Sequence, residues 1–89
     1  MAVFLVAYDL NSPGQHHAEL LKKIKKFPWA RLSESSYAIE AGDLDPVQIR
    51  SLMRGVIDAN DTLIVIALAL PFASFASKKV NEWLLLYLS

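Results

Sequence analysis

The run Val3-Phe4-Leu5-Val6-Ala7-Tyr8, closed by Asp9, constrains the fold more than any other stretch of the chain. An unbroken apolar run rich in β-branched and aromatic residues reads as a strand buried on both faces, because a half-exposed strand alternates apolar and polar positions. The chain turns immediately afterwards through Asn11, Ser12, Pro13 and Gly14, so Asp9 stands where a central strand leaves its sheet. A second run over residues 62–70, TLIVIALAL, has the same character and ends at Pro71. The two runs are expected to be neighbours at the centre of one sheet.

The segments between them carry helical and strand signals. Ser12 is placed to cap a helix with Pro13 in its first turn, and Leu20, Ile24 and Phe27 follow at i, i+4 and i+7. Lys22, Lys23, Lys25 and Lys26 fall mostly on the other side, near the end of the helix, where cations suit its dipole. Pro28 stops it. Residues 29–41 read as two short strands broken at Glu34-Ser35, a bend or tight hairpin. Asp45-Pro46-Val47-Gln48 is the clearest local signal: an N-cap, a proline at the first position and a capping-box glutamine. Ile49, Leu52, Met53, Val56 and Ile57 make the apolar stripe behind it, while Arg50 and Arg54 share a solvated face. Ser77 caps a last helix, with Val80, Trp83, Leu84, Tyr87 and Leu88 on a wide apolar face.

This order predicts an α+β, ferredoxin-like βαββαβ sheet with helices on one face and an added C-terminal helix, in a single domain spanning residues 1–89. The other sheet face then needs a cover. Left wet, it would exceed the ~300–600 Å² apolar patch usual on a monomer. A second copy of the sheet, or the last helix, supplies that cover, and a homodimer is the expectation. Phe4, Tyr8, Trp83, Leu84 and Tyr87 are the candidate interface residues.

Composition narrows the function classes. The chain is 54% hydrophobic, which excludes disorder, and nine basic residues balance nine acidic ones. That neutrality argues against non-specific nucleic-acid binding as the main task. Cysteine is absent, which excludes disulfides and thiolate zinc sites. The N-terminus lacks the basic region of a signal peptide, and the second apolar run is too short for a bilayer, which needs ~20 residues. A cytoplasmic protein with no membrane partner is expected.

Several of these pieces resemble a known family. An apolar first strand ending in Tyr-Asp-Leu, a proline-containing loop, a lysine-rich helix, a strand carrying Ser-Glu-Ser-Ser-Tyr, a capped second helix and Asn-Asp-Thr-Leu before a final apolar strand are similar to the small CRISPR-associated protein that partners the spacer integrase, and to the virulence-associated D-type toxins. The pieces YDLN, WARLSESSYAI and VNEWL are similar to those of an uncharacterised branch of that superfamily. The resemblance implies a dimer with Asp9 near its axis, and in some members a metal-dependent phosphodiester cleavage by the matching aspartate. Two features depart from the family: the chain ends in an apolar helix instead of an extra strand, and it carries little basic charge.

The candidate site residues follow. Two copies of Asp9 across a dimer axis could hold one Mg²⁺, whose ligands are carboxylates, water and phosphate, and so act in catalysis. The alternative is an aspartate that starts the turn by bonding backbone at Asn11 and Ser12. His16 and His17 are neighbours on a helix, ~100° apart, and poorly placed to share one metal. Lys22, Lys23, Lys26 and Arg31 are the candidate nucleic-acid contacts, although such lysines are ordinary on the outer side of an amphipathic helix. Ser33, Ser35 and Ser36 lack a nucleophile elbow and read as a polar strand break. Two functions compete: a non-catalytic homodimeric binding or scaffold module contacting nucleic acid or protein, and a Mg²⁺-dependent endonuclease using Asp9 from both protomers.

Overall fold

The structure, a computed structural model, describes residues 2–11 and 14–88, the side chains of Gly14 and Gln15 excepted. Its elements run β1 (Val3–Asp9), α1 (Gly14–Ile24), β2 (Trp29–Ser33), β3 (Ser36–Glu40), α2 (Pro46–Met53) with a 3-10 turn Arg54–Val56, β4 (Thr62–Leu68) and α3 (Lys78–Leu88). The expected cap at Ser12 and the proline after it lie outside the described residues. The sheet is antiparallel throughout, in the order β2-β3-β1-β4.

That order corrects one expectation. The two apolar runs do pair, with Val3 opposite Leu68 and Asp9 opposite Thr62, but only β1 is central. The break at Glu34-Ser35 is a tight hairpin that joins β2 to β3, and β3 occupies the second edge of β1. This leaves β4 at the rim, where its outer backbone edge has no strand partner among the described residues. Burial follows position. Val6 is fully buried, whereas Ile64 and Ile66 are 48% and 50% exposed, so β4 is not the doubly buried strand its composition suggests.

Register sorts the side chains onto two faces. Phe4, Val6 and Tyr8 lie beside Tyr37, Ile39, Leu63 and Val65 on the first face. Leu20 and Ile24 of α1, with Ile49 and Met53 of α2, close the main core over them. The capping box of α2 forms as the sequence predicts: the Gln48 amide donates to Asp45 Oδ1 at 2.8 Å, and the Asp45 amide donates to Gln48 Oε1 at 2.9 Å. The helix gives way to a 3-10 turn after Met53; of the expected stripe, Ile49, Met53 and Val56 are buried and Leu52 is exposed.

The second face is covered within the chain, in part. α3 is capped by Ser77, whose Oγ accepts from the Val80 amide at 3.2 Å, and it packs on β2. Val3, Ala30 and Ala38 on this face are buried, as is Leu84 of α3. Leu32, Leu68, Val80 and Leu84 line one cleft between the helix and the sheet. The cover stops short of Ile64 and Ile66.

Candidate functional site

The C-terminal end of β1 carries the polar chemistry. Asp9 is exposed and pairs across the sheet with Thr62. It shares an open depression of about 430 Å³ with Tyr8, His17, Glu34 and Ser35. Tyr8 points the other way from Asp9, as alternate strand residues must, and reaches the first helical turn of α1. Its hydroxyl lies 3.1 Å from His17 Nε2 and 3.3 Å from the Glu34 carbonyl oxygen. A phenol has a single proton to donate; given to the carbonyl, it leaves the oxygen to accept from an Nε2–H of His17. Burial raises the Tyr8 pKa, Tyr37 adds to the rise and Arg31 opposes it, so the phenol stays neutral at physiological pH. The arrangement offers one exposed carboxylate beside a neutral phenol and an imidazole.

The hairpin serines bond locally. Ser33 Oγ and Ser36 Oγ are 2.6 Å apart, and the Ser35 amide donates to Ser33 Oγ at 3.3 Å. The Tyr8 amide donates to the Ser35 carbonyl at 2.9 Å, which ties the hairpin to β1. These contacts fit the polar strand break read from the sequence.

A second cluster lies at the same end of the sheet. His16, Asp58 and Asp61 bring one nitrogen and two carboxylate oxygens within 4.8 Å of one another. Asp58 and Asp61 are the ends of a tight turn closed by the Asp61 amide on the Asp58 carbonyl at 3.0 Å. Asp61 Oδ1 accepts from the Asn11 amide at 2.7 Å, and its Oδ2 accepts from the Asp58 amide at 2.9 Å. Those two amides hold its carboxyl below the usual aspartate range, against a small opposing effect of desolvation and with help from His16. His16 Nδ1 is 3.4 Å from Asp58 Oδ2. The two histidines thus part company: His16 turns to the loop before β4 and His17 to Tyr8. Asp9, the expected metal ligand, is not a member of this cluster. The Asp-x-x-Asp spacing before an apolar strand was the available sequence signal, but nothing in the sequence places His16 beside it.

The chain matches no family model, no curated protein and no solved structure.

The remaining candidates are spread over the surface. Lys22 and Lys26 are exposed, Lys23 is half-buried, and Arg31 is exposed with its Nε donating to the Ser33 carbonyl at 3.2 Å. Lys25, not one of the candidate contacts, sits 4.7 Å over the Trp29 ring. Phe4 and Tyr8 are buried in their own protomer because even positions of β1 face α1 and α2, and Leu84 is buried because α3 packs on its own sheet. Their surface is already used. Trp83 and Tyr87 stack on each other with ring centroids 4.4 Å apart and remain half-buried. The large apolar side chains that do face solvent include Ile64, Ile66, Leu70, Phe75 and Leu85. Among the described residues no helix is long and apolar enough to cross a membrane.

Proposed function

We propose that the chain is a cytoplasmic, non-catalytic homodimeric binding or scaffold module of ferredoxin-like order, related to the CRISPR-associated integrase partner and D-type toxin superfamily. One observation carries the reading. Ile64 and Ile66 are half exposed on β4, beside a backbone edge with no strand partner among the described residues. An uncovered apolar pair next to an open edge favours association with a second copy, by edge pairing that satisfies the edge amides or by face packing that covers the isoleucines. Lys22, Lys23, Lys26 and Arg31 stay available for a nucleic-acid or protein partner. Light scattering at micromolar concentration is expected to return twice the 9.9 kDa chain mass, and Ile66→Asp to return a folded monomer. A wild-type monomer would sink the proposal.

The second reading, a Mg²⁺-dependent endonuclease, draws on the open depression that holds Asp9 beside His17. In that reading Asp9 from both protomers binds the cation, and Asp9→Asn abolishes cleavage while the dimer survives. The expected result is no Mg²⁺-dependent cleavage of single- or double-stranded DNA or RNA by purified wild type. Cleavage that scales with Mg²⁺ and vanishes in Asp9→Asn would reverse the ranking.

A further inference from the structure

His16, Asp58 and Asp61 deserve a chemical reading beyond that of a surface ion pair. His16 Nδ1 is shielded from solvent and has no hydrogen-bond partner among the described residues. Its nearest carboxylate oxygen, Asp58 Oδ2, is 3.4 Å away. Two ligand atoms each ~2.0–2.1 Å from a tetrahedral ion stand roughly 3.4 Å apart, so the pair already spans one edge of such a site. Asp61 is preorganised. Two backbone amides fix its carboxylate, and among the described residues each oxygen keeps a second lone pair for a cation.

We propose that His16 Nδ1, Asp58 and Asp61 form a three-ligand site for Zn²⁺, leaving a further position for water. The donor set decides the ion. A hard cation such as Mg²⁺ takes oxygen ligands and keeps several waters, whereas an imidazole with two carboxylates suits a borderline ion. The ion would clip the first turn of α1 to the loop before β4, reinforcing the His16–Asp58 contact and the Asn11–Asp61 hydrogen bond. The site is independent of dimer formation, since all three ligands come from one chain.

The test uses untagged full-length protein, stripped with chelator and titrated with Zn²⁺ by calorimetry. One equivalent per chain is expected. His16→Ala and Asp58→Asn are each expected to weaken binding about 10-fold or more, while His17→Ala binds as wild type, which separates a built site from a loose histidine pair. Co²⁺ is expected to give the intense visible bands of four-coordination in wild type and not in His16→Ala. Zn²⁺ should raise the melting temperature of wild type and leave that of His16→Ala unchanged. Should one variant melt early in chelator, the other carries the test. Absence of saturable one-per-chain binding, unchanged affinity in both variants, or Mg²⁺ binding as tight as Zn²⁺ would each overturn the proposal.

Discussion

β1 and β4 are nearly the same strand by composition and opposite by environment. Each has seven residues, and they pair along their whole length from Val3–Leu68 to Asp9–Thr62. In β1 the even positions are buried under α1 and α2, and the odd positions Leu5 and Ala7 are half-buried on the second face. In β4 the odd positions Leu63 and Val65 are half-buried, while Ile64 and Ile66 on the second face are exposed. Neither propensity nor hydrophobicity accounts for the contrast. β1 has a strand on each side; β4 has one, and α3 lies toward the β2 end of the sheet. Burial belongs to a place in the topology, and a run of apolar residues only makes that place affordable.

The largest expected effect breaks the comparison outright. Val6→Asp would place a carboxylate in a fully buried site without a partner, so the protomer is expected not to fold, as judged by circular dichroism. Ile66→Asp sits on the paired strand but on its bare face. It is expected to change protomer stability by less than about 1 kcal/mol and to abolish the dimer. Equal loss of folding in the two variants would mean that β4 is buried in the isolated protomer after all.

The second test concerns the cover over the second face. Leu84→Ala removes a buried side chain and is expected to cost ~2–5 kcal/mol in urea unfolding. Leu85→Ala, one residue on and exposed, is expected to cost about 0.5 kcal/mol or less. A wild-type melting curve from Leu84→Ala would show that α3 is not part of the protomer's packing.

Features written in local chemistry were legible. The hairpin break at Glu34-Ser35, the Asp45–Gln48 capping box and the Ser77 cap are each decided by residues a few positions apart, and the structure forms all three. The pairing of the two apolar runs was legible because both demand a sheet. Which run would be central was not, because that depends on where the β2–β3 hairpin docks. The interface residues suffered from the same gap. Phe4 and Tyr8 have an interface composition, but the parity of β1 turns them inward. The cluster of His16 with Asp58 and Asp61 was illegible for a related reason: it joins the first turn of α1 to a loop far along the chain, and only the β1–β4 pairing brings them together. Asp9 was legible as the carboxylate at the end of a strand, and the residues gathered around it were not.

The smallest effect sharpens the comparison at the polar ends of the two strands. Asp9 ends β1, and Asp61 immediately precedes Thr62, its partner on β4. Asp9→Asn is expected to change stability by about 0.5 kcal/mol or less, because the site is exposed and the amide keeps the size of the side chain. Asp61→Asn is expected to be the more harmful, since an amide offers one oxygen and turns an NH₂ toward the second of the two backbone N–H donors. The pH dependence gives the sign. Asp61 has a folded pKa below its unfolded value of about 3.9, so its contribution is fully present above that value and is lost as pH falls through the folded pKa. Melting temperatures measured downward from pH 7 should therefore drop less steeply below about pH 4 in Asp61→Asn than in wild type. An identical acid limb in the two proteins would show that the Asn11 and Asp58 amides do not hold the carboxylate in solution. The turn before β4 would then be fixed by its backbone bond alone.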